Sequence, residues 1–475
     1  MRILGGLFLA TLVACSDPDP VVTPDASTPP DDVTAAAGRA ACRYGRGALP
    51  AQTLGTSAPL GRAIPIDTIV VLMLENRSFD SYFSHLGKYA KRTDIESAPD
   101  TASNPDKTGP VPGASHPTFH APHLCLLDTN HEWSGSHLEW DEGKMDGFVE
   151  ANEGFFERFP DGGAPSLKDG SRAMGWFDER DIPFYYELAS TFATGDHYHS
   201  SILGPTWPNR DYLYAATSYG VIDNTWPEFG DSPYPKKDIV IFDLLEKKQI
   251  SWNIYADGLP GAAVTVALGI VNRWAGRNPI LKTSDLFAQA AAGSLPQVVF
   301  IDPKLGTDEP DSNDEHPPGD VQVGQKFTSD VIHALFKSPQ WDRMAIFVTY
   351  DEHGGLYDHV PPPPACAPDD RAPIQHVGDT TKGGFDRYGV RVPMTVVSPY
   401  SKPAHVSHVV YDHTSILRFI EARFELPALT KRDANAEAMF DFFDFSKPAF
   451  ATPPVIAEPT IDQAELLYCV NTFRK

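Results

Sequence analysis

Four apolar runs stand out along the chain: IDTIVVLML over residues 66–74, VVFI over 298–301, AIFV over 345–348 and MTVV over 394–397. Each is almost continuously apolar, without the alternation of a strand that faces water on one side. Each therefore predicts a strand buried on both faces. Helical spacing intervenes. Val331, Ile332, Leu335 and Phe336 group on one side of a helix that Thr328 can cap. Ile416, Leu417, Phe419, Ile420 and Phe424 recur at helical intervals behind a cap at Thr414 or Ser415. Strands alternating with helices predict an α/β fold, a mainly parallel sheet with helices on both faces. The polar, Pro- and Gly-rich stretches from about Ala98 to Leu124 and from Pro361 to Gly389 predict long loops, the usual carriers of function on such a scaffold.

Open parallel sheets bind ligands beyond the carboxyl ends of their strands. Two of the predicted strands run straight into polar pairs: Glu75-Asn76 after IVVLML, and Asp351-Glu352 after AIFVTY. Carboxylates just past a buried strand are costly unless hydrated, hydrogen-bonded or metal-bound. Three carboxylates and one amide oxygen at one sheet edge make a hard, oxygen-rich site for a divalent cation, Ca, Mg, Mn or Zn. The plainer reading is helix capping by Asn76 or Ser78 and a turn closed by Asp351. Histidines occur in similar company: His131 in DTNHEW, His199 in GDHYHSS, His316 in DEHPP, His353 in DEHGG and His413 in YDHTS. Imidazole at such places can ligate metal, donate to phosphate oxygens or protonate a leaving group. No HExxH helix, P-loop or G-x-S-x-G elbow is present, which removes the main support for zincins, P-loop hydrolases and ordinary serine esterases.

Composition narrows the classes further. Of 475 residues, 41% are hydrophobic and 21% charged, as in a folded globular protein. The formal net charge of −24 repels phosphate backbones, so no nucleic-acid partner is expected. Residues 1–15 read as a lipoprotein signal: Arg2, an apolar stretch from Ile3 to Val13, then Leu-Val-Ala-Cys ending in Cys15 as the lipidation site. Residues 16–50, densest in Pro, Asp and Thr up to about Pro30, are expected to tether a catalytic domain over 51–475. This predicts an exported protein of a bacterial cell envelope, held to a membrane by an N-terminal lipid. Cys42, Cys125, Cys366 and Cys469 then remain, an even number that favours disulfides outside the cytosol. Three pairings exist. The nearness of Cys42 and Cys469 to the two ends favours Cys42–Cys469 with Cys125–Cys366.

The motifs ENRSFDSYFSHL (75–86), GPTWPNR (204–210), DEHPP (314–318), TYDEHGGLYDHVPPP (349–363) and YDHTSILRFIEARF (411–424) follow one another in that order. Together they resemble the bacterial phosphoesterase family that joins phospholipases C to an acid phosphatase. The resemblance spans about Ile64 to Leu426. It implies an alkaline-phosphatase-like architecture, a three-layer α/β/α sandwich around a central, mostly parallel sheet. It also implies Glu75, Asn76, Asp351 and Glu352 as metal ligands, and Thr206 as nucleophile and fifth ligand. His131, His316 and His353 would surround the phosphoryl group, with His413 in support. The expected activity is metal-dependent hydrolysis of a phosphate ester. A phospholipase C-like cleavage of phospholipid headgroups through a phosphothreonine leads. An acid phosphatase with the same site, or a silent lipid-binding lipoprotein, are the alternatives.

Overall fold

The computed structural model describes residues 29–107, 113–154, 169–224, 240–258, 261, 279–305, 311–375 and 380–473; the lipidation motif with Cys15 lies outside them. Eight strands form the main sheet: β1 (Thr68–Leu74), β2 (Ala193–Gly195), β3 (Trp252–Tyr255), β4 (Ile280–Leu281), β5 (Val298–Ile301), β6 (Met344–Tyr350), β7 (Met394–Val397) and β8 (Val406–Ser407). Their order across the sheet is β8-β2-β7-β6-β1-β5-β3-β4. Only β7 runs against the others, since it pairs antiparallel with both β6 and β2 while every other pairing is parallel. The fold is therefore mixed α/β around a mostly parallel sheet, as the apolar runs predict.

Every residue of β1 and β6 is buried. Successive side chains of a strand point to opposite faces, so both faces are covered. All four predicted strands are present. Two helix starts differ from expectation. The helix expected to begin at Thr328 spans Val321–Phe336, and Asp320 caps it by accepting the Gln322 N–H at 2.9 Å. Thr328 lies inside that helix, buried, with its hydroxyl 3.0 Å from that of Tyr185. The helix His413–Phe424 is capped by Asp412, not by Thr414 or Ser415. Its carboxylate accepts the Thr414 N–H at 3.1 Å, and Ser415 closes the reciprocal bond to the Asp412 N–H at 3.2 Å.

Both ends of the folded region differ from the sequence reading. The tether expected through residue 50 ends earlier, because DVTAAAGRA forms the helix Asp32–Ala40. Asp31 caps it, Arg39 meets Glu437 at 2.7 Å, and Cys42 is bonded to Cys366. The second disulfide joins Cys125 to Cys469 on the C-terminal helix Gln463–Phe473. Two disulfides are thus formed, but the expected pairs are exchanged. The reason is spatial: the N-terminal helix lies against the loop that bears Cys366, and the C-terminal helix lies against the Cys125 segment, where His123 stacks on Tyr468 with centroids 3.7 Å apart.

Candidate active site

Strand register builds the site. Leu74 pairs with Tyr350 and Leu72 with Ile301, so the residues that follow, Glu75, Asp351 and Asp302, lie together at the carboxyl edge of β1, β6 and β5. Glu75, Asn76, Asp351 and Glu352 are all buried. Asn76 sits in the left-handed region at φ 62°, which asparagine tolerates better than most residues. From there its N–H donates to Asp351 Oδ1 at 3.1 Å, an oxygen that also accepts the Glu352 N–H at 2.7 Å. Gly354 is needed two residues on: at φ 67°, a Cβ there would meet the Asn76 carbonyl oxygen at 2.6 Å. Its N–H holds Glu352 Oε2 at 2.7 Å. The two motifs found at strand ends therefore interlock.

Thr206 opens the helix Thr206–Ala215 and is buried. One turn on, Arg210 reaches across the strand ends. Its Nε donates to Asp351 Oδ2 at 3.0 Å, Nη1 to Asp302 Oδ1 at 3.1 Å and Nη2 to the Leu74 carbonyl at 3.0 Å, with Glu75 Oε1 3.7 Å away. Burial pushes the Asp302 carboxyl up to about 6 against the pull of Arg210. Neither Arg210 nor Asp302 was singled out from the sequence. Asp302 follows VVFI as Glu75 follows its own run, so that signal existed.

Four of the predicted histidines reach this region by different routes. His131 gives its Nδ1–H to the Thr129 carbonyl at 2.7 Å, and the Asn76 amide nitrogen lies 3.5 Å from its ring. His316 gives its Nδ1–H to the Pro317 carbonyl at 2.6 Å, and the two imidazoles meet edge to face at 5.4 Å. Behind the second loop, Glu315 anchors the chain by accepting hydroxyls from Tyr82, Tyr185 and Tyr350 at 2.6, 2.5 and 2.7 Å. Both nitrogens of His353 face buried carboxylates, Glu139 at 2.7 Å and Glu352 at 3.3 Å. Burial alone would lower this ring, but Glu139 and Glu352 bring it up to about 9. His413 donates its Nε2–H to the Asp351 carbonyl at 2.7 Å, and burial lowers it to about 4. His199 bonds the Gly389 carbonyl and is scaffold. Glu139, on the helix Trp133–Trp140, gave no sequence signal, because one acid on a short helix reads as a solvated residue.

The donor set suits a hard cation. Asn76 Oδ1 and Glu352 Oε1 are buried oxygens that meet no hydrogen-bond donor, next to the further carboxylates of Glu75 and Asp351. Asp128, His131 and His316 also lie within cation-sharing distance of one another. Asp128, however, approaches His131 at Nδ1, 3.6 Å away, the nitrogen whose proton is given to Thr129.

The model of a family described as the Phosphoesterase family matches residues 66–427. Non-specific phospholipase C1 of Arabidopsis thaliana is 32% identical over 400 residues, covering 80% of this chain and 71% of that protein. Phospholipase C B of Mycobacterium tuberculosis is 30% identical over 452 residues, covering 86% and 82% respectively. Among solved structures, a protein in the alkaline phosphatase superfamily from Vibrio parahaemolyticus aligns over 82% of this chain and 95% of its own, at 11% identity and a TM-score of 0.35.

Proposed function

The chain belongs to the Phosphoesterase family, hydrolases of phosphate esters, and within it we propose a phospholipase C-type phosphodiesterase that acts through Thr206. One observation carries this reading: two donorless buried oxygens, on Asn76 and Glu352, at strand ends that Arg210 joins to the first turn of the Thr206 helix. Glu75, Asn76, Asp351, Glu352 and Thr206 would hold a divalent ion. Such an ion would neutralise the phosphoryl oxygens and acidify the Thr206 hydroxyl. The chain's own residues do the rest. The helix N-terminus at Thr206 favours the anionic phosphoryl group. Thr206 Oγ1, its proton already lost to solvent, bonds to phosphorus as the bond to the diacylglycerol oxygen breaks, and a protonated His131 or His316 gives that oxygen its proton. Water then attacks phosphorus, returns a proton to the imidazole and frees Thr206 with release of the phosphorylated headgroup. His353 and His413 hold Glu352 and Asp351 in place.

The test compares phosphatidylcholine with p-nitrophenyl phosphate on protein loaded with divalent metal. Thr206→Ala is expected to lose several powers of ten in turnover and Thr206→Ser to keep part of it, with phosphothreonine trapped by acid quench. Near-normal turnover of Thr206→Ala ends the nucleophile assignment, and activity on the monoester alone makes the chain a phosphatase. The 1–15 motif and the two disulfides support export with lipidation at Cys15. Cys15→Ser should then move the protein from the detergent phase to the soluble fraction, with catalysis kept; unaltered partitioning rejects the anchor.

A further inference from the structure

Three carboxylates just past three neighbouring strands, Glu75 after β1, Asp302 after β5 and Asp351 after β6, meet at the sheet edge, all buried. Side by side and dehydrated, such a group is unstable without cations. Arg210 supplies one. Its guanidinium is fully buried and spans all three strand ends, bonding Asp351, Asp302 and the Leu74 carbonyl and standing 3.7 Å from Glu75. The backbone closes over it. Gly261 gives its N–H to the other Asp302 oxygen at 2.8 Å, and a Cβ on Gly261 would come 2.8 Å from Arg210 Nη1. Glu352 adds a fourth buried carboxylate beside them, so Arg210 offsets one of the negative charges that divalent ions would otherwise have to neutralise. The donorless oxygens of Asn76 and Glu352 lie beside the same strand ends.

We propose that Arg210 is a positioning residue that acts as a fixed internal cation, so that the centre takes one divalent ion where its carboxylates would otherwise recruit two. The fork geometry of the guanidinium also registers the Thr206 helix against the strand ends, a spread that the compact point charge of a lysine ammonium cannot span. The inference rests on the metal and Thr206 roles proposed above.

The experiment counts Mn²⁺ per chain by elemental analysis after equilibrium dialysis, and follows melting with and without Mn²⁺. The native chain is expected to hold one ion. Arg210→Met is expected to hold two, and its melting is expected to become Mn²⁺-dependent, because the second ion replaces the lost cation. One ion at native affinity with native kcat in Arg210→Met overturns the inference, as do two ions in the native chain. If Arg210→Met fails to fold even with Mn²⁺, Arg210→Lys decides: one ion, native melting and a kcat lowered about 10- to 100-fold at unchanged KM support it, whereas native kcat overturns it. Glu352→Gln separates the two readings. Loss of Mn²⁺ in that variant alongside native behaviour of both Arg210 variants removes only the Arg210 role. A native chain that binds no Mn²⁺ removes the metal reading and the inference together.

Discussion

The His199 ring lies fully buried with its Nδ1–H on the Gly389 carbonyl at 2.9 Å, and burial brings it down to about 3. In the unfolded chain the same ring protonates near about 6.5. Protons therefore bind the unfolded chain first, so this contribution is complete above pH 6.5 and is lost as pH falls toward 3. At pH 5 the loss amounts to about 2 kcal/mol. The drop in melting temperature between pH 7.5 and pH 5 is expected to shrink in His199→Gln, and an equal drop in both proteins assigns the acid sensitivity elsewhere. His199 lies, like His131 and His316, within a few residues of an acid in a polar stretch. Only the tertiary path distinguishes them: Tyr198 and Ser200 bind the β7 segment and bury the ring between them, whereas Thr129 turns the His131 ring toward Asn76 and Pro317 holds the His316 ring against that of His131. Roles that depend on distant partners were illegible for the same reason. Arg210 bonds groups 92 and 141 residues away, and Glu139 meets a histidine 214 residues away.

At the scale of elements, β1, β5, β6 and β7 were legible because strands covered on both faces are written as unbroken apolar runs. β4 and β8 have two residues each and β2 three, too short for any period to show. Helix starts were misread where a hydroxyl inside or just after the true cap imitates one. The cap of His413–Phe424 makes that difference measurable. Asp412 takes the Thr414 N–H, the Ser201 hydroxyl at 2.9 Å and an ion pair with Arg432 at 3.5 Å. Asp412→Ala removes a cap and strands a buried guanidinium, so a loss of about 2 kcal/mol or more in urea unfolding is expected. Asp412→Asn, which still caps, should recover part of it. A loss below about 0.5 kcal/mol in the alanine variant would return the start of the helix to Thr414 or Ser415.

For the whole molecule, the two disulfides fasten the terminal segments to a core that does not need them for its sheet. On the helix Gln463–Phe473 only Cys469 is buried, and Leu467 and Tyr468 are exposed. Cys125→Ser with Cys469→Ser should therefore free that helix to proteases at unchanged turnover; a helix as resistant as the native one would show that the His123–Tyr468 stack suffices. The same two bonds constrain how the protein is made. They span 324 and 344 residues, and they interleave: Cys42 and Cys125 both leave the ribosome long before Cys366 and Cys469. For most of synthesis neither early thiol has its own partner within reach, and the two can pair wrongly with each other. Correct pairing thus waits until β6 has closed against β1 and carried the late half of the chain into place, and a prematurely oxidised nascent chain needs an isomerase before it can mature.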